Sequence, residues 1–215
     1  ISRGLCYKDG GTGHNTRGNL GFKPAAPPPS ELDFNLWLGP APQQSYHENI
    51  VHYRWHWFWD FGNGDMGNQG VHEMDKARWA IPGGTLPKSV MTVGARPFVD
   101  QGQTACHQIC VFDYGDTQLI FETRGLPSSA YLGEKVGNLY HFEQGTVIGS
   151  KFTPKGSDKS EPTSSLGVDA KRGPGGGHFQ NFIAAVRSRK QEDLNADLLE
   201  GHCSSALCHL GNISY

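Results

Sequence analysis

Apolar and polar positions divide the chain into a patterned middle and two less regular ends. Tyr53, Trp55, Trp57 and Trp59 alternate with Arg54, His56 and Phe58, and a period of two among aromatic residues predicts a strand. The turn Gly62-Asn-Gly64 follows, then a helix from about Asp65 to Ala80 that Pro82-Gly-Gly84 stops. Three strands are predicted in series over 89–94, 104–114 and 117–123, with Tyr114-Gly-Asp116 as the last turn, and a fourth over 139–148. Residues 149–176 are rich in Ser, Lys, Gly and Pro and predict a loop. Phe179, Phe182, Ile183 and Val186 stand at i, i+3, i+4 and i+7, one face of a helix. A last helix runs from Asn195, its apolar or small face carried by Leu199, Cys203, Ala206, Leu210 and Ile213. A strand meander flanked by helices, rather than alternating βαβ units, predicts an α+β fold with a largely antiparallel sheet.

Residues 1–30 are polar and glycine-rich and end in Ala25-Ala-Pro-Pro-Pro29. They predict an extended, irregular N-terminal arm ahead of a single α+β domain over 31–215. Ile1 stands where a chain would start with Met, and the final helix is predicted to run to Tyr215 with no Gly or Pro stop. The expectation is a piece of a longer polypeptide.

Composition narrows the function classes. Nineteen Lys+Arg against 21 Asp+Glu leave a formal charge of −2, which gives no electrostatic basis for nucleic acid or an anionic membrane as partner. No apolar run approaches the ~18–20 residues that cross a bilayer. Twenty-nine Gly and 13 Pro exceed the average share of roughly 12%, as in a loop-rich protein, while 36% apolar residues and five Trp argue against disorder. Cys6, Cys106, Cys110, Cys203 and Cys208 are odd in number and irregularly spaced. Without a CxxC pair they read as buried free thiols. That favours a reducing, cytoplasmic compartment while leaving an exported one open.

The chemistry concentrates between residues 52 and 76. Gly62-x-Gly64-x-x-Gly67 fits the dinucleotide fingerprint in form, but the preceding run is rich in Trp and His, and no acidic residue follows at the ribose spacing. Asp65, Asn68, His72 and Lys76 fall at i, i+3, i+7 and i+11 on one helix face. That face is either solvated or a site in which a His near an amide and a carboxylate relays a proton. Trp57 and Trp59 are either core or stacking surfaces for a sugar ring, with His56 and Asp65 as polar contacts. His56, Asp60 or Asp65, and His72 could converge on a metal as a mixed N/O site. Gly173-Pro-Gly-Gly-Gly177 is followed by His178 and Phe179, so it lacks the Lys and Ser/Thr of a phosphate loop.

Three segments carry a specific resemblance: Asn35-Leu-Trp-Leu-Gly-Pro-Ala-Pro42, the run from Trp55-His-Trp-Phe-Trp through Gly70-Val-His-Glu-Met-Asp75, and Gly177-His-Phe-Gln-Asn-Phe through Val186-Arg-Ser-Arg189. The chain resembles the C-terminal domain of the Gfo/Idh/MocA oxidoreductases, in a bacterial branch with this Trp-rich segment. The resemblance implies a large, mostly antiparallel open sheet with helices on one face, which walls a substrate site and serves as a homo-oligomer interface. It implies a carbohydrate-like substrate, a sugar or polyol. It also implies NAD or NADP, carried by a separate Rossmann domain and not bound by this chain alone. His72 matches the family's His; Asn68 stands where the Asp four residues earlier is usual, with Asp65 one turn before it. Glu134-Lys135 precedes Val136 rather than Pro, so the catalytic lysine of the family is not carried over.

The first reading is therefore the substrate-binding half of a nicotinamide-dependent oxidoreductase. His72, Asp65 and Asn68 are its catalytic candidates, and His56, Trp57, Trp59 and Lys76 its substrate contacts. A cofactor-free, metal-assisted hydrolase of esters, lactones or glycosides, with its metal in the His52–Asp75 segment, is the second. A non-enzymatic binding or oligomerisation module is the third.

Overall fold

A computed structural model describes residues 2–7, 18–126, 128–166 and 173–215. Its framework is an eight-stranded sheet in the order β2-β3-β4-β1-β5-β6-β7-β8. Strands β2 (Ser89–Ala95), β3 (His107–Asp113) and β4 (Gln118–Arg124) form the expected meander. In β3 and β4 the side chains alternate between a buried and a more open face, as a half-buried strand requires. Cys110, Phe112, Leu119 and Phe121 point into the core. Val93 and Ile109, paired across β2 and β3, point the other way and stay exposed together with Met91.

A short α1 (Phe34–Leu38) starts at Asp33, whose carboxylate accepts the Leu36 N–H at 2.9 Å. Then come α2 (Gly64–Asn68), α3 (Gly70–Trp79) and, at the C-terminal end, α5 (Leu198–Ser214). Helices α2, α3 and α5 cover the buried face, and α1 packs in a second cluster beside them. α3 packs on β1, β4 and β5, and α5 on β2 and on α3. The core between sheet and helices holds Met66, Met74, Phe112, Phe121, Leu119 and Leu207. The second cluster gathers Leu20, Phe34, Leu38, Ile50, Trp57 and Phe58 under the N-terminal loops.

The structure departs from the sequence expectations at six places. Within the supposed arm, Ser2–Tyr7 forms β1, parallel to β4 and antiparallel to β5; its partners lie more than a hundred residues away, and no local pattern announces such pairing. The aromatic run is not a strand. Arg54–Trp57 is a 3-10 turn, and Phe58 accepts both the Phe61 and the Gly62 N–H. Burial there is consecutive, at His56, Trp57 and Phe58, rather than alternating. The helix expected over 65–80 is broken at Gln69 into α2 and α3. The strand expected over 139–148 is a hairpin, β5 (Gly137–His141) and β6 (Gly145–Ile148), closed by the Phe142 N–H to Gly145 O bond of 2.8 Å. The expected loop over 149–176 contributes β7 (Lys151–Pro154) and β8 (Glu161–Pro162), and its residues 167–172 lie outside the described ones.

The sixth departure concerns the two C-terminal helices. On α5 the buried face is Cys203, Ser204, Leu207, Cys208 and Gly211, rotated from the expected one, so Leu199 and Ile213 are exposed. Ser204 is inward because it bridges two polar side chains of α3, which an apolar-period search overlooks. α4 (His178–Ser188) forms where expected, but its stripe of Phe179, Phe182, Ile183 and Val186 faces solvent. Its buried residues are Asn181 and Ala185, and Asn181 donates to Pro174 O and Asp193 O and accepts the Asn195 N–H. The four described thiols, Cys106, Cys110, Cys203 and Cys208, are free and buried, as expected.

Candidate active site

α3 and the beginning of α5 run side by side and leave between them a cleft of about 1,010 Å³. α3 supplies His72, Lys76 and Trp79, which recur at helical spacing and so form one wall. Asn195, Asp197 and Glu200 form part of the other. Asp197 starts α5 by accepting the Glu200 N–H at 3.0 Å. That main-chain bond, with the Gln191 amide behind it, holds the Asp197 carboxyl below its ordinary range.

Beneath the cleft lies a charged network. Ser204 Oγ donates to Asp75 Oδ1 at 2.5 Å and accepts the Arg78 Nε–H at 2.9 Å. Buried Arg78 also pairs with Glu200 and donates to Gly84 O at 2.7 Å. The Trp79 indole N–H reaches the same Asp75 oxygen at 3.2 Å, which sets the angle of the exposed indole. Buried Glu73 accepts from Gln69 at 3.3 Å and lies 3.8 Å from Lys76 Nζ. The cleft thus combines an open imidazole, a tethered ammonium, several carboxylates and an indole face. Such a set can exchange a proton with a hydroxyl and bind a polyhydroxylated ring.

Of the residues singled out from the sequence, His72 and Lys76 line this cleft. Asp65 is 3% exposed in the interior of α2, so the four-residue polar face does not persist through the break at Gln69. Asn68 ends α2 and is partly buried. His56 is equally buried, its Nδ1 bonded to Tyr53 O at 2.8 Å among the rings of Tyr53, Trp55 and Trp57. Trp57 is 2% exposed with the Arg96 guanidinium 5.3 Å from its ring centre. Trp59 lines a different depression. Trp79 was missed although it continues the His72–Lys76 stripe by one turn. Asn195, Asp197 and Glu200 reach the cleft only through folding and leave no mark in the local sequence.

Two cofactor expectations meet the geometry here. Among the described residues no three His, Cys, Asp or Glu side chains are grouped to hold a metal ion; His56 is interior while His72 faces solvent. The fingerprint glycines are filled by the chain itself. A Cβ at Gly62 would meet His56 Cα at 2.4 Å, one at Gly64 the Thr104 hydroxyl at 2.8 Å, and one at Gly67 the Asn63 side chain at 2.0 Å. These glycines admit neighbouring protein rather than a pyrophosphate, so the residues do not fit a dinucleotide.

The family profile described as the oxidoreductase family, C-terminal alpha/beta domain, matches residues 13–215. The chain belongs to the Gfo/Idh/MocA oxidoreductase family. No curated protein sequence matches it. Among solved structures it is similar to the Bacillus subtilis protein yvaA, at 15% identity and a TM-score of 0.49, over 70% of this chain and 49% of that one. It is also similar to the Bordetella pertussis WlbA dehydrogenase in complex with NADH and UDP-GlcNAcA, at 16% identity and a TM-score of 0.48, over 78% of this chain and 47% of that one. The chain thus spans about half the length of either structure.

Proposed function

We propose that this Gfo/Idh/MocA C-terminal domain is the substrate-binding half of a nicotinamide-dependent oxidoreductase acting on a sugar or polyol. The placement of His72 carries the reading: an exposed imidazole on the wall of a 1,010 Å³ cleft, one turn from Lys76. A pyranose or cyclitol set against the Trp79 indole would present hydroxyls to Asp75, Glu200 and Asn195. His72 accepts the proton of the hydroxyl undergoing oxidation, and Lys76, steered by Glu73, binds a neighbouring oxygen. NAD or NADP is held by residues other than these. Homo-oligomerisation would use the open sheet face, where Met91, Val93 and Ile109 are exposed side by side.

The test is substrate-dependent NAD(P) reduction by the intact gene product across a panel of cyclic polyols and aldoses. Reduction with at least one of them is expected. Hydrolysis of ester or glycoside substrates without nicotinamide, lost with a chelator and restored by one metal, would replace this reading with the hydrolase.

A further inference from the structure

Away from the His72 cleft, the turn that follows Trp55 frames a second depression of about 550 Å³. Trp55 and Trp59 form its apolar walls and are 41% and 44% exposed. Asp60 and Asn63 line it from the turn, His209 and Asn212 from α5. A shallower depression of about 330 Å³ shares Trp55, Asp60 and Phe61 with it and adds Trp37, whose ring lies 4.7 Å from that of Phe61. Aromatic rings therefore extend across two contiguous depressions. The polar groups among them are carboxylate, amide and imidazole, and among the described residues no Lys or Arg lines either one.

This surface is preformed. The Trp59 N–H donates to Gln103 Oε1 at 2.8 Å, and Gln44 Nε2 donates to Asp60 Oδ2 at 3.1 Å. Asn212, held by Gln108 at 3.0 Å, donates to Asn63 O at 2.9 Å and ties α5 to the turn. A ligand would find the walls already ordered, which removes much of the entropic cost of binding. The lining points to a ligand class. The absence of a cationic side chain disfavours phosphates and carboxylates. Indole faces beside a carboxylate and amides suit rings with C–H faces and equatorial hydroxyls. The length of two adjoining depressions suits more than one ring.

We propose that Trp37, Trp55 and Trp59 form a binding site for a neutral oligosaccharide of at least two pyranose units, separate from the His72 cleft. The cleft and the depression share no lining residue, and their nearest residues on α5, Ser205 and His209, are one turn apart, about 6 Å by the helical rise. The proposal does not depend on the oxidoreductase reading, because binding here requires neither nicotinamide nor His72.

The experiment titrates the 215-residue chain, without nucleotide, with neutral trisaccharides of β-1,4-glucose, α-1,4-glucose, β-1,4-xylose and β-1,4-N-acetylglucosamine. Tryptophan emission and the indole N–H resonances are followed. At least one trisaccharide should saturate, more tightly than its monosaccharide. Trp59→Ala should weaken it about tenfold, Trp59→Phe should retain most of the affinity, and His72→Ala should leave it unchanged. Saturation by none of the four, wild-type affinity in both Trp59→Ala and Trp55→Ala, or equal loss in His72→Ala would overturn the proposal.

Discussion

The Ser204 hydroxyl donates to Asp75 Oδ1 across 2.5 Å while its oxygen accepts the Arg78 Nε–H at 2.9 Å. This one buried side chain joins the two walls of the His72 cleft. Ser204→Ala takes the acceptor from the buried Arg78 Nε–H and leaves Asp75 Oδ1 with the Trp79 indole N–H as its remaining donor. The expected cost is about 1–3 kcal/mol, read as a lower urea midpoint with an unchanged slope. A midpoint equal to the wild type would show that the bridge contributes nothing.

His72 faces solvent from the first turn of α3, so under the proposed relay its removal should spare the fold and strike turnover. For His72→Asn in the intact enzyme, kcat should fall by about 10²–10⁴-fold, the usual contribution of a positioned acid–base group, with the thermal midpoint unmoved. Lys76→Met should instead act mainly on KM, because an ammonium bound to a non-reacting oxygen stabilises ground and transition states alike. A His72→Asn enzyme with wild-type kcat would remove the proton-relay role.

The meander, α4 and α5 were legible because each rests on a local period of two or about 3.6. The Trp55–Trp59 alternation misled because aromatic residues at every second position also fit a tight turn, in which Trp55 and Trp59 lie outside and Trp57 inside. β1 was hidden in a polar segment because main-chain pairing with β4 and β5 makes it a strand. Half of the cleft was visible as the His72–Lys76 spacing. The other half arrives on α5 from residues about 125 positions away, and no short window contains both.

Gly64 has φ +67° and sits against the Thr104 hydroxyl. Gly64→Ala therefore forces a β-carbon into both a left-handed backbone and an occupied space, at a cost of about 1–2 kcal/mol or more. The loss should appear in urea unfolding. Calorimetric titration of NADH into the wild-type 215-residue chain should show no saturable heat, since these glycines face protein. Tight NADH binding to this chain would contradict the assignment of the cofactor to other residues.

Val93 and Ile109 are direct cross-strand neighbours on the open face of the sheet, and both are exposed. If that face joins copies of the chain, two glutamates there bring like charges together across the interface. Sedimentation should show an oligomer for the wild type and a monomer for Val93→Glu/Ile109→Glu, with matching far-ultraviolet spectra. An unchanged sedimentation coefficient would place any interface elsewhere.

Burial pushes the Cys110 thiol up to about 11 and the Cys208 thiol up to about 12, where the neighbouring Cys110 adds to the effect; the ordinary value is 9.0. Partial burial likewise raises the phenols of Tyr114 and Tyr140 from 10.0 to about 12. Above pH 9 the unfolded chain sheds these protons while the folded chain keeps them. The unfolded state then binds fewer protons, so stability falls as pH rises. Below that pH both states are protonated at these groups and they add no slope. The urea midpoint should therefore be insensitive to these groups up to about pH 8 and decline steadily from about pH 9 towards 11. Cys110→Ala should lower the midpoint at neutral pH by leaving a small cavity, yet make the alkaline decline shallower. A Cys110→Ala slope as steep as the wild type would show that this thiol titrates alike in the folded and unfolded states across that range.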